Sequence, residues 1–347
     1  MKSFLFALLF LSISTANAFE FEKRFAAYEK QVGPGLAVLV IKDGKTIFSK
    51  GYGWASLGKG KQKISPTTNF NLASNSKQFT AFALLSLEQK GLISIDDKVS
   101  KYIPELPSYM SGVRVKHLVF HTSGAPDYMD VCETKKQIVN ADVISFLGTK
   151  SKLDFETGTK HEYSNTGYVL LSEVLSRAAK KPFPEVLKTE IFEKLGMKET
   201  TVISVESERK ILNRSLGIGE WPFFEPKDDH SCNYVFGDGG IYTSLNDYAK
   251  WALALENSKL LSPEFHARIF EPGKLDSGEP IKYAYGWMKD EHNGHVMLAH
   301  SGGWVGFRSF VANVPDEKLW VAMFSNYRGV SIWDSTKAVL DEFVGKK

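Results

Sequence analysis

Two apolar runs near the N-terminus, Gly35 to Ile41 and Lys45 to Gly51, are rich in Val, Leu and Ile and flank Lys42-Asp43-Gly44. A turn-forming triplet between two such runs predicts a β-hairpin. Ahead of it, Phe19 to about Gln31 reads as a short amphipathic helix. A run opened by Ser74 contains Phe79, Ala81, Phe82, Leu84, Leu85 and Leu87 and ends at Lys90-Gly91. It is apolar almost all round, which predicts a central buried helix with a glycine cap. From Leu92 to about Asn233, helical patterns alternate with long loops broken by Pro104, Pro107, Pro126, Pro182 and Pro184, with a clear helix over Thr166 to Ala179. Strand patterns return at Val296 to His300, Arg308 to Val314 and Leu319 to Phe324, with Pro315-Asp316 as a turn, before a last helix from about Ser331 to Val344. The expected fold is α+β. Residues 19–91 and 234–347 supply an antiparallel sheet flanked by helices, and residues 92–233 supply a mostly helical lobe, with a cleft between them.

Composition narrows the class. A chain of 347 residues that is 43% hydrophobic and 24% charged has the balance of a folded globular protein. A net charge of +3 without a basic run gives no electrostatic footprint for nucleic acid. Lys2, the apolar run Phe4 to Ile13 and Ala16-Asn17-Ala18 read as a secretory signal over residues 1–18, so the mature chain is expected to start at Phe19 and to be exported, periplasmic or secreted. The run is too short to span a membrane, and no other window is long enough. Export would permit Cys132 and Cys232 to pair, but nothing in the sequence brings them within bridging distance, and paired and free thiols both stay open.

Candidate chemistry begins with Ser-x-x-Lys, which occurs at Ser56/Lys59, Ser74/Lys77 and Ser207/Lys210. Only Ser74 sits where a strand-like segment meets a buried helix. At the first turn of a helix, unpaired N–H groups and the positive dipole end can hold developing negative charge, and residue i+3 shares the face. Lys77 is therefore placed to reach the Ser74 hydroxyl, which is a poor nucleophile until a neighbouring base takes its proton. Tyr163-Ser164-Asn165 is the one Tyr-x-Asn in the chain and precedes a helix of the middle lobe. His300-Ser301-Gly302-Gly303 ends a late strand.

Taken in order, these motifs resemble the serine β-lactamase and penicillin-binding protein superfamily, specifically its class C β-lactamase and D,D-peptidase-like branch. Leu118 to Pro126, Gly237-Asp238-Gly239-Gly240-Ile241 and Tyr285-Gly286-Trp287 resemble further signatures of it, and the likeness runs from about Gly35 to the C-terminus. The resemblance implies Ser74 as the acylated nucleophile, Lys77 as its activating partner and Tyr163 as a proton shuttle. It implies Asn165, His300, Ser301, Gly302 and Gly303 as substrate-binding residues, with the N–H groups of Ser74 and Gly303 as the oxyanion hole. No metal or organic cofactor is expected.

Two departures bear on the substrate. Many β-lactamases place Lys at the position of His300, where permanent charge helps hold a carboxylate, and no Glu-x-x-Leu-Asn segment is present. The expected activity is an exported serine hydrolase acting on D-amino-acid-type peptides or esters, such as peptidoglycan stems, with a class C-type β-lactamase as the alternative. A penicillin-binding sensor without turnover is the non-enzymatic alternative. Arg308 and Arg328 are candidates for binding a carboxylate, against plain surface solvation. A metal site at His117, His121, His230 and Cys232 fails for want of a Glu between the first two, and an α/β-hydrolase for want of Gly-x-Ser-x-Gly.

Overall fold

The computed structural model describes residues 19–30, 33–57, 61–133, 137–220 and 224–347. The expected signal segment and Lys59 lie outside the described residues. Helix α1 (Glu22–Lys30) leads into the hairpin β1 (Leu36–Lys42) and β2 (Lys45–Tyr52), then β3 (Phe70–Asn71) and the central helix α2 (Lys77–Gln89). Helices α3 (Val115–Val119), α4 (Asn140–Gly148), α5 (Asn165–Ala179), α6 (Phe183–Leu187) and α7 (Glu193–Leu195) fill the middle of the chain. There follow β4 (Thr201–Val202), β5 (Ile241–Thr243), α8 (Leu245–Glu256), α9 (Pro263–Arg268), β6 (Met288–His292), β7 (His295–Trp304), β8 (Phe307–Val314), β9 (Leu319–Ser325) and α10 (Ile332–Phe343).

The main sheet is antiparallel in the order β2-β1-β9-β8-β7-β6. Its strands β1 and β9 are apolar from Leu36 to Ile41 and from Leu319 to Phe324 because both faces are covered. Along β1, Leu36, Val38 and Val40 pack outward with Phe21 and Phe25 of the N-terminal segment and Val339 and Leu340 of α10. Ala37, Leu39 and Ile41 face the inner core shared with α2 and α8. Helix α2 is buried from Lys77 to Leu87, and Phe79 stacks on Trp251 of α8 with ring centroids 4.5 Å apart.

Three features depart from the sequence reading. A small sheet, β3-β5-β4, joins three strands of two or three residues each. Strands that short carry no readable alternation, and β4 comes from the segment read as helical. Strand β6, Met-Lys-Asp-Glu-His, is a polar edge strand, where charge is tolerated and guards an open edge. Strand β7 runs past the expected end at His300 to Trp304. Pairing with β6 stops at Ala299, so residues 300–304 present an edge that β6 does not cover.

Cys132 and Cys232 are joined by a disulfide with Cα atoms 5.5 Å apart, which decides the question the sequence left open. The bond closes a loop across a sequence separation of 100 residues. Constraint of the unfolded chain by a loop of that size is worth about 2–4 kcal/mol in practice. Replacing both cysteines by serine is expected to lower the unfolding free energy by about that amount. An unchanged urea midpoint, measured without reductant, would count against the bond.

Candidate functional site

The turn that carries Ser74 is fixed before the helix begins. Strand β3 hands the chain to a 3-10 turn, Ala73–Ser76, in which Ala73 holds a left-handed φ of 49°. That conformation is strained for a residue with a Cβ and persists only where its surroundings over-determine it. They do so here. The Ala73 N–H donates to Asn71 Oδ1 at 2.8 Å, and the Leu72 N–H donates to the Ile241 carbonyl of β5 at 2.9 Å. Ser309 Oγ of β8 donates to the Leu72 carbonyl at 2.7 Å and accepts from Asn75 Nδ2 at 2.8 Å. Strand β7 presses on the same turn: a Cβ at Gly302 would stand 2.4 Å from the Leu72 carbonyl oxygen and 2.3 Å from Ser309 Oγ. Only glycine permits that approach.

Lys77 opens α2 and is completely buried. Its Nζ reaches three acceptors: Ser74 Oγ at 3.1 Å, Asn165 Oδ1 at 3.0 Å and the Asp238 carbonyl at 2.9 Å. It also stands 4.8 Å from the centre of the Tyr163 ring. The Tyr163 hydroxyl is buried with no hydrogen-bond partner among the described residues. Asn165 begins α5, whose cap is Ser164, with Oγ accepting from the Gly167 N–H at 3.1 Å. The Asn165 side chain is thereby left for Lys77.

Tyr163 rests in an aromatic and imidazole cluster. The His121 ring lies 4.4 Å from both Tyr163 and Tyr283, and His300 lies 5.9 Å from Tyr163. Burial first, and the Lys77 charge second, push the His300 imidazole down from its ordinary 6.5 to about 3. The same two causes, in the same order, hold His121 well below 6.5. His300 Nδ1 sits 2.6 Å from the Ser301 carbonyl, which can only accept, so Nδ1 carries the proton. Nε2 then accepts from the Tyr283 hydroxyl at 3.1 Å. His300 is thus a neutral imidazole with both nitrogens engaged inside the protein.

Ser301 and Gly303 are exposed on the uncovered edge of β7. Between that edge and the Ser74 turn lies a cavity of about 110 Å³ bordered by Ser74, Asn165, Asp238, Gly303 and Trp304. Two members of its wall, Asp238 and Tyr128, were given no role at the site from the sequence, although Asp238 lies in one of the signatures quoted above. Asp238 is buried, with Oδ2 accepting from the Tyr128 hydroxyl at 2.9 Å and Oδ1 unpartnered among the described residues. Burial raises its carboxyl above the usual range, against the opposing pull of the Lys77 charge. The signal was a carboxylate set among the glycines 237, 239 and 240, which reads more easily as a turn than as a site wall. Of the other Ser-x-x-Lys serines, Ser207 spends its hydroxyl on a loop, donating to the Val202 carbonyl at 3.0 Å and accepting from the Ser204 N–H at 2.7 Å.

The fold and a serine bonded to a buried lysine in an inter-element cleft define a serine hydrolase as the class of protein. The sequence profile of the family described as "Beta-lactamase" matches residues 21–336, and the chain belongs to that family. It is 31% identical over 306 residues to "Penicillin-binding protein 4*" of Bacillus subtilis (strain 168), covering 83% of this chain and 67% of that one. It is 28% identical over 308 residues to "D-aminopeptidase" of Gluconobacter oxydans (strain 621H), covering 85% of this chain and 56% of that one. The chain therefore spans from little more than half to two thirds of the length of these relatives. Among solved structures, the octameric penicillin-binding protein homologue from Pyrococcus abyssi superposes with a TM-score of 0.78 at 24% identity, over 94% of this chain and 77% of that one. That likeness fixes the β-lactamase/transpeptidase-like α+β fold.

The low-pH behaviour follows from the two neutral imidazoles. In the unfolded chain each binds a proton below about 6.5, whereas the folded state resists doing so. Stability contributed by His300 is unaffected above that pH and falls as pH drops from about 6.5 toward about 3, by up to about 1.4 kcal/mol per pH unit. Urea unfolding between pH 7.5 and 4.5 is expected to show this slope, and a shallower one in His300→Gln. Equal slopes in the two proteins would contradict the burial argument.

Proposed function

We propose that this chain hydrolyses amide or ester bonds of D-amino-acid-type substrates through a covalent acyl-enzyme on Ser74. The observation that carries the reading is the fully buried Lys77 Nζ at 3.1 Å from Ser74 Oγ. In the proposed first step the neutral form of the Lys77 amine, its extra proton lost to solvent beforehand, takes the hydroxyl proton and Oγ bonds to the substrate carbonyl carbon. The oxygen that becomes negative is received by the N–H groups of Ser74 and Gly303. The bond to the leaving nitrogen or oxygen then breaks as Tyr163 delivers a proton to it. Tyr163 next takes a proton from water, the hydroxide oxygen bonds to the acyl carbon, and Ser74 Oγ departs with a proton returned by Lys77. Asn165, whose Oδ1 is held by Lys77, has its amide N–H free to donate to the acyl chain.

His300 and Ser301 are proposed to hold the β7 edge in register, with Gly302 providing close contact to the nucleophile turn. A neutral His300 supplies no fixed charge for a carboxylate on the leaving side, which supports peptides and esters over β-lactams as the main substrate. The names of the two curated relatives, a penicillin-binding protein and a D-aminopeptidase, support the same choice. Export is proposed with it. The hydrophobic N-terminal run and the Cys132–Cys232 bond support an oxidising compartment, and no described helix is long and apolar enough to cross a membrane.

Intact-mass spectrometry with a penicillin and, separately, a fluorophosphonate tests the reading. Lasting adducts of both on Ser74 are expected, and none on Ser74→Ala. Fast release of hydrolysed penicillin without an adduct would favour β-lactamase instead, and absence of both adducts and turnover would overturn the enzyme. Lys77→Ala and Tyr163→Phe are each expected to lose about a hundredfold or more in acylation. Their losses should not add to that of Ser74→Ala, because the three act as a unit.

A further inference from the structure

At the Trp304 end of the open β7 edge a second cavity, of about 500 Å³, adjoins the first, and Gly303 and Trp304 border both. Its wall carries Lys227, His230, Arg308 and Arg328, with Glu133 as the one carboxylate among its described lining residues. Arg308 stands on β8 directly opposite Gly303. Its side chain folds across that glycine, so that a Cβ there would lie 3.5 Å from Arg308 Nη1. A Cβ at position 303 would stand in ordinary van der Waals contact with this guanidinium.

The cations are poorly compensated. Arg308 is half-buried, and its hydrogen bonds among the described residues run to two carbonyls, Phe307 at 2.7 Å and Val305 at 3.4 Å. Arg328 has an exposed partner, Glu220, at 3.4 Å. Burial and the neighbouring Arg328 charge both work against the Arg308 guanidinium, with Glu220 only partly offsetting them. Lys227 in turn disfavours a charged His230, after burial. Two guanidinium groups that repel each other at the rim of a cavity gain most from a planar anion that accepts from both.

Position says which part of a substrate brings that anion. Tyr163 and His300 stand at the opposite end of the open edge, so the leaving group departs there and the acyl portion runs toward Trp304. We propose that the cavity walled by Arg308 and Arg328 is a subsite for a carboxylate on the acyl side of the substrate, upstream of the scissile carbonyl. The proposal rests on the reading of Ser74 as nucleophile and Tyr163 as proton donor.

Matched alkyl fluorophosphonates test it without assuming a D-amino-acid substrate. One member of each pair ends in a carboxylate and the other in its methyl ester, with short, medium and long tethers, and the rate of Ser74 modification is followed by intact mass. At one tether length the carboxylate probe is expected to react about tenfold faster than its neutral twin at low salt, with the advantage shrinking as salt is added. The ratio should fall to near one in Arg308→Gln and in Arg328→Gln and persist in part in Arg308→Lys. Equal rates at every tether, or an advantage that survives both Gln substitutions, would overturn the subsite alone, because Ser74 would still be labelled. Failure of every probe to label Ser74 would overturn the nucleophile and the subsite together.

Discussion

A lysine amine withdrawn entirely from water has to find its acceptors inside the protein, and this requirement organises the molecule around Lys77. Leaving such a group without partners costs several kcal/mol. Its three acceptors come from parts of the chain far apart in sequence: Ser74 on its own turn, Asn165 at the start of α5 and the Asp238 carbonyl ahead of β5. Satisfying the amine therefore closes the helical middle of the chain onto the sheet. The strained Ala73, clamped by Asn71, Ile241 and Ser309, fixes where the serine must meet that amine.

The same charge dictates what its neighbours can be. Burial first, and the neighbouring cation second, hold the His121 and His300 imidazoles below their ordinary range, which favours their neutral forms. Neutrality then fixes a tautomer, since the Ser301 carbonyl demands a donor and the Tyr283 hydroxyl can supply one. Tyr163 lies inside this set with its hydroxyl uncommitted among the described residues. A phenol held by ring contacts, with its oxygen free, is suited to carrying a proton between two partners that arrive with the substrate.

Long elements with a strong period were legible in the sequence, and so were residues whose spacing is itself the chemistry. The hairpin of β1 and β2, the all-round apolar α2 and the β8–β9 pair announce themselves because both burial and periodicity act over many residues. Ser74 and Lys77 were legible because three residues along a helix bring side chains to one face. The small β3-β5-β4 sheet was not, because two-residue strands are stabilised by partners distant in sequence rather than by their own pattern. Tyr128 was missed for a similar reason, and Asp238, though part of a quoted signature, was given no role: what joins them in the wall is a hydrogen bond across 110 positions. The disulfide needed the fold to bring its two loops within 5.5 Å.

The electrostatics of the open β7 edge complete the picture. At one end of that edge stands His300. Here that end is neutral by burial, and the uncompensated charge stands past Gly303, where Arg308 lies across the strand. The edge itself is held against the nucleophile turn by the close approach that glycine at 302 permits. Under the proposed function the chemistry rests on Lys77 and docking on the β7 edge, which leaves selection among substrates to side chains outside both. Arg308 and Arg328 border the second cavity rather than the core, and the proposed subsite gives them that part.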